Sequence, residues 1–195
     1  MAYCEKRLIL ASGSPRRREL LEKFGLRFEV IPARGEEEPP CGMAPGAYVE
    51  QLSRRKAAEV AGRLGDEKAV LIAADTVVEQ NGAILGKPAD AEEAFRMLSA
   101  LSGSTHRVWS GLCVREGEKE LSRAECTEVV FRELTGEEIR QYIATGEPMD
   151  KAGAYGAQGY ASLFVEKLEG DFFNVMGLPL CALGNLLKQL GVNLL

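Results

Sequence analysis

The sequence predicts an α/β fold with a mixed central sheet and flanking helices, and three observations carry that expectation. Short apolar runs suited to strands alternate with helical periodicity along the whole chain, so strands and helices should be interleaved. An Asn81-Gly82 pair stands between two apolar runs, and both residues tolerate the positive φ of a tight antiparallel hairpin. Near the start, an apolar run passes through the small-residue turn Ser12-Gly-Ser-Pro15 into a helical pattern, which reads as strand, turn and helix.

Taken in order, residues 7–11 form the first strand. Residues 16–24 form the first helix, with Ser14 as N-cap, Pro15 at its first position and Gly25 as its stop. Residues 34–46, rich in Gly and Pro, are the most loop-like stretch. A second helix covers 48–64, and a buried strand over 70–74 delivers Asp75 at its C-terminal end. The hairpin follows. Asp90 caps a helix reaching Leu101, and residues 107–115 and 120–131 alternate as two antiparallel strands turning at Glu116-Gly117. Thr135-Gly-Glu-Glu138 is a capping box that opens a helix ended by Gly146. A strand over 162–168, a Gly170-Asp171 turn and a last helix from about Pro179, burying Leu180, Leu183, Leu187 and Leu190, complete the chain.

Of the 195 residues, 46% are apolar and 27% charged, with 24 Lys and Arg against 29 Asp and Glu. That balance supplies core for a single domain spanning residues 1–195, without repeats or low-complexity tracts. It argues against non-specific nucleic-acid binding, which needs a basic face. No apolar run approaches the ~20 residues that cross a bilayer, and the opening MAYCEKRLIL lacks the long apolar segment of a secretory leader. The five cysteines form no Cys-x-x-Cys pair, and their odd number suits a reducing cytosol better than a disulfide framework.

Three segments could carry chemistry. In Leu10-Ala-Ser-Gly-Ser-Pro-Arg-Arg-Arg18, a helix N-terminus points backbone N–H groups out of a small-residue turn. Arg16 and Arg17 put cations where the helix dipole disfavours them unless an anion offsets the charge, so the turn reads as a phosphate site. Asp75, at the end of a buried strand, can hold a divalent metal or take a proton from water, and Lys87 should return toward it across the hairpin. Gly82 to Pro88 does not make a phosphate-binding P-loop, because its spacing is one residue short and Pro88 replaces the Ser or Thr. Asp150-Lys-Ala-Gly-Ala-Tyr-Gly-Ala-Gln-Gly159 is rich in small residues, which lets backbone approach a ligand while Lys151 and Gln158 supply polar groups. Among Arg54, Arg55 and Lys56, only Lys56 is expected to point inward. The acidic run Glu36–Glu38 reads as solvated surface or a carboxylate facing a metal–phosphate complex. His106 is the only histidine, so a His-based triad or a multi-histidine metal site is excluded.

Five motifs in order, Leu10-Ala-Ser-Gly-Ser-Pro-Arg-Arg, Ala74-Asp-Thr-Val-Val, Gly86-Lys-Pro, the 150–159 loop and Asn174-Val-Met-Gly-Leu-Pro-Leu, resemble the Maf family of nucleoside triphosphate pyrophosphatases over nearly the whole chain. The resemblance implies two lobes around a cleft, an architecture like that of the inosine triphosphatases. It also implies a cytoplasmic house-cleaning hydrolase that cleaves between the α and β phosphates with a divalent cation (Mg, Mn or Co), commonly as a homodimer. The late loop is similar to the dTTP/UTP branch rather than the 7-methyl-GTP branch. Carried onto matching positions, Asp75 would be the proton acceptor and Arg16, Thr76 and Gln158 would set base preference. Ser12, Arg17, Lys56 and Lys87 would contact phosphate, and Glu37 would join Asp75 at the metal. The alternatives the resemblance keeps open are a nucleotide-binding regulator of cell division and septum formation and a pyrophosphatase of the 7-methyl-GTP type.

Overall fold

The computed structural model describes residues 6–35, 40 and 42–194. Seven strands, β1 (Leu8–Leu10), β2 (Phe28–Val30), β3 (Val70–Gln80), β4 (Ala83–Leu85), β5 (Thr105–Glu116), β6 (Lys119–Phe131) and β7 (Val165–Glu169), make a mixed sheet. Its order is β2-β1-β3-β5-β6-β7, with β4 paired to β3. Among the described residues six α-helices accompany them: α1 (Pro15–Glu22), α2 (Pro45–Leu64), α3 (Ala91–Leu101), α4 (Gly136–Ala144), α5 (Phe172–Val175) and α6 (Leu180–Gln189). By packing, the chain divides into two compact units, Met1–Asp75 with Ser110–Glu125 and Gly177–Leu195, and Thr76–Trp109 with Cys126–Met176.

In the first unit β1 lies between β2 and β3, parallel to both, with Leu8–Leu10 in register with Phe28–Val30 on one side and Val70–Ile72 on the other. Parallel neighbours require crossovers, and α1 and α2 supply them. The chain therefore leaves β1 toward one side and returns as β3 on the other. That reversal opens a crevice at the C-terminal end of β1, where β3 runs on past its last residue paired with β1, and sheets of this kind bind ligands at such a point. Ile9, Ala11, Ala57, Val60, Ala69, Leu71, Ala73 and Cys113 form one buried cluster there, which seats α2 on the sheet. At Gly111 of β5 an added Cβ would stand 2.2 Å from the Val49 carbonyl oxygen, so the helix backbone rests directly on the strand.

In the second unit the hairpin forms as the sequence predicts: Val78–Gln80 pair antiparallel with Ala83–Leu85, with φ of 51° at Asn81 and 82° at Gly82. Asp90 caps α3 through the Glu93 amide, and Thr135 and Glu138 make the reciprocal capping box of α4. Leu98, Leu101, Val129, Phe131, Ile139, Tyr142, Ala154, Tyr155 and Phe164 belong to the core cluster of this unit.

Five expectations need correction. Strand β3 does not end before Asp75 but continues to Gln80, because the apolar residues Val77 and Val78 extend it into the hairpin. Ser14 occupies the N-cap position of α1 without capping through its side chain; its amide instead donates to Ser12 Oγ at 3.3 Å. The β5–β6 turn is Gly117-Glu118, one residue later than expected, with Gly117 taking the positive φ. Strand β7 starts at Val165, since Tyr160–Leu163 is a 3-10 turn. Within α6, Leu180 is half-buried and Leu186 takes its place in the core. The short helix α5, capped by Asp171, was not anticipated.

Candidate functional site

Two residues past β1, Ser12 sits at the mouth of the β1/β3 reversal, and Asp75 sits three residues past the last β3 residue paired with β1. Both residues are buried, Asp75 at 4% exposure. A buried carboxylate needs a partner to remain ionised. Lys56 provides it: α2 presents its ammonium from the helix face that also carries Leu52 and Glu59, and the ammonium forms an ion pair with Asp75 Oδ1.

Arg17 reaches the same place from α1. Its Nη1 donates to Ser12 Oγ at 3.1 Å and to the Ala74 carbonyl at 2.8 Å, and its Nε donates to the Gly177 carbonyl at 2.8 Å. A guanidinium bound to two carbonyls ties three segments together: the turn after β1, the residue before Asp75, and the loop before α6. The cation that the helix dipole disfavours is thus offset by carbonyl and hydroxyl oxygens.

Beside these groups lies a cavity of about 290 Å³ lined by Ser12, Gly13, Arg34, Arg55, Lys56 and Glu59, among others. Its walls join the small-residue turn to α2. Arg55, which the sequence pattern leaves as a solvated neighbour of Lys56, instead lines this cavity. The available signal was the helical spacing of Leu52, Arg55, Lys56 and Glu59, which puts all four on one face. Arg54 does face outward, paired with Glu120.

The structure therefore brings Ser12, Arg17, Lys56 and Asp75 together in the first unit. Arg16 is half-buried in the first turn of α1, and Thr76 follows Asp75 in β3. Glu37 lies outside the described residues. Lys87 and Gln158 belong to the second unit. Lys87 is exposed two residues beyond β4, where the hairpin register runs back toward Thr76. The Gly153 amide donates to the Gly86 carbonyl at 3.0 Å, joining the Lys87 turn to the late loop.

That loop differs from its expectation. Its glycines admit the protein's own side chains: an added Cβ would stand 2.8 Å from Val78 at Gly153, 2.7 Å from Lys151 at Gly156 and 2.2 Å from the Glu147 carboxylate at Gly159. Lys151, expected to serve a ligand, is tucked in, donating to the Glu147 carbonyl at 2.8 Å and to Asp150 at 2.6 Å. Gln158 alone keeps the anticipated character, exposed on the turn closed by the Gly159 amide on the Gly156 carbonyl. Beneath it, His106 is buried with Nε2 2.8 Å from the Tyr155 hydroxyl, and burial lowers its pKa to about 4, so it is a neutral structural residue. Cys113 is buried, and burial pushes its thiol up to about 12, which leaves it inert. Among the described residues no helix is long and apolar enough to cross a membrane.

The fold is that of the Staphylococcus aureus Ham1 protein, whose solved structure matches with a TM-score of 0.53 at 12% identity, over 94% of this chain and 99% of that one. The chain belongs to the Maf-like protein family, whose pattern it matches over residues 7–190. It is 52% identical over 192 residues to a dTTP/UTP pyrophosphatase of Pelotomaculum thermopropionicum, covering 97% of this chain and 100% of that protein. A dTTP/UTP pyrophosphatase of Thermococcus kodakarensis is 52% identical over 189 residues, covering 96% and 98%. One from Clostridium perfringens is 50% identical over 192 residues, covering 97% and 100%.

Proposed function

We propose that this protein is a nucleoside triphosphate pyrophosphatase that hydrolyses dTTP and UTP to the monophosphate and pyrophosphate. The observation that carries the reading is Asp75, a buried carboxylate held by Lys56 just past the parallel-paired part of β3 and beside a cavity lined by Ser12 and Arg55. Its relatives of the same length, half identical in sequence, bear that name.

The reaction joins a neutral nucleophile to a strongly anionic substrate, so the protein must spread phosphate charge and remove one proton. Water attacks one phosphorus of the α–β anhydride, the bridging P–O bond breaks with its electron pair leaving on the other fragment, and nucleoside monophosphate and pyrophosphate result. Asp75 takes the proton. Lys56, Arg55 and the uncapped start of α1 with Arg16 offset phosphate charge, and a phosphate contact is also the role proposed for Lys87. Arg17 acts more through position than through direct contact, since Ser12, Ala74 and Gly177 already engage its guanidinium. Gln158 offers a donor and an acceptor that complement the O4 and N3–H edge of uracil or thymine.

Among the described residues no three metal-ligating side chains cluster. A site of one or two carboxylates fits Mg²⁺ or a similar ion, which binds such groups together with substrate phosphates rather than in an all-protein cage. Asp75, with Glu37, would hold it, and the ion would supply charge neutralisation to the phosphate oxygens. The same reading makes the protein a cytoplasmic homodimer.

The test is pyrophosphate release from dTTP, UTP, CTP, GTP and 7-methyl-GTP with Mg²⁺ or Mn²⁺. Release from the first two is expected. Release from none would favour the nucleotide-binding regulator. Asp75→Asn should abolish turnover while leaving nucleotide affinity within about tenfold.

A further inference from the structure

The turn that carries Gln158 is fastened at both ends by one pair of side chains. The Tyr142 hydroxyl, on α4, donates to Glu147 Oε1 at 2.8 Å and accepts from the Gly156 amide at 3.1 Å. Glu147 Oε2 accepts from the Tyr160 amide at 3.0 Å. Gly156 and Tyr160 bracket Gln158, so the phenol holds one end of the turn and the carboxylate the other. Lys151 closes the arrangement by donating to the Glu147 carbonyl at 2.8 Å. The fit is tight: a Cβ on Gly159 would stand 2.2 Å from Glu147 Oε2, so glycine is needed there for the carboxylate to reach under the turn. Burial and the neighbouring carboxylate raise the Tyr142 pKa, which keeps the phenol a donor.

We infer that Tyr142 and Glu147 are specificity-positioning residues, a latch that presents the Gln158 amide in the one orientation able to read a pyrimidine edge. The inference rests on the assignment of Gln158 to base recognition. Neither residue belongs to the five family-like motifs, and neither touches substrate in the proposed reaction. Their effect passes through the backbone of residues 156–160. Gln158 is exposed, and an exposed amide discriminates between bases only if its carrier is held still, because an untethered turn spends binding energy on its own ordering.

The experiment measures dissociation constants of the full chain for dTMP and GMP, with kcat and KM for dTTP, in Tyr142→Phe, Glu147→Ala, Glu147→Gln and Gln158→Ala. Loss of the latch should weaken dTMP about tenfold, the scale of one or two lost hydrogen bonds, and leave GMP within about twofold. KM for dTTP should rise more than kcat falls. Glu147→Gln retains one acceptor oxygen and should lie between wild type and Glu147→Ala. If Gln158→Ala erases the preference for dTMP while Tyr142→Phe and Glu147→Ala keep it, the latch is overturned and the base-reading role survives. If Gln158→Ala itself keeps the preference, the base-reading assignment fails and the latch falls with it. An equal loss for both nucleotides would mark the pair as merely structural. Should Glu147→Ala not fold, Tyr142→Phe, which removes a single oxygen, decides the matter.

Discussion

Lys56 of α2 and Asp75 of β3, 19 positions apart in sequence, meet as an ion pair in which the carboxylate side chain is 6% exposed and the lysine 23%. A carboxylate that deep depends on its partner more than a surface one would. Removing one member of such a pair costs more than the pair itself contributes, because the other charge is left without compensation.

Lys56→Met is therefore expected to destabilise the fold by about 3 kcal/mol. The double variant Lys56→Met/Asp75→Asn should recover a large part of that loss, since no buried charge remains. Urea unfolding of the two single variants and the double variant closes the cycle. Additive losses would show that the pair is not coupled.

Arg17→Lys should cost about 2 kcal/mol, because a single ammonium nitrogen cannot stand at both the Nε position that serves the Gly177 carbonyl and the Nη1 position that serves Ser12 Oγ and the Ala74 carbonyl, so acceptors lose a donor. Turnover of dTTP should fall as well, through misplacement of Asp75, the residue after Ala74. Unchanged unfolding midpoints in the variant would contradict this account.

His106 makes acid sensitivity measurable at one atom. Burial lowers its folded pKa to about 4, so between that value and the ordinary 6.5 the unfolded chain binds a proton that the folded chain refuses. Stability from this residue is complete above pH 6.5, declines as pH falls toward 4, and changes no further below it; the total is roughly 3 kcal/mol. Since the chain has one histidine, its imidazole proton resonance reads the site directly. It should stay at the neutral position down to about pH 5, and a midpoint near 6.5 would refute the assignment.

Gly111→Ala should be among the most damaging single-methyl substitutions, at about 3 kcal/mol or more, because the new Cβ would stand 2.2 Å from the Val49 carbonyl oxygen, and neither strand nor helix backbone can yield cheaply. Thermal unfolding of the variant checks this. A transition within a degree or two of wild type would mean that α2 does not rest on β5 as described.

Local rules make most of the fold legible in the sequence. The Asn81-Gly82 hairpin, the Asp90 cap, the Thr135–Glu138 capping box and the core-facing periodicity of α2 each depend on residues within one turn of one another, and each formed as expected. Failures occurred where a local signal met a longer-range competitor. Ser14 carries a capping side chain, yet its amide goes to Ser12. The glycines of the late loop suggested ligand access, but Val78, Lys151 and Glu147 fill the space beside them.

By itself the sequence determined the element types, the family and the residue kinds available for phosphate chemistry, because periodicity, capping and turn conformation are written in neighbouring positions. Tertiary structure alone decided that Lys56 meets Asp75, that Arg17 spends its donors on Ser12 and two carbonyls, that Arg55 lines the cavity, and that Tyr142 and Glu147 fasten the Gln158 turn. Those pairings join residues whose separation along the chain says nothing of their distance in space; the order of strands around β1 and the packing of α2 and α4 fix them.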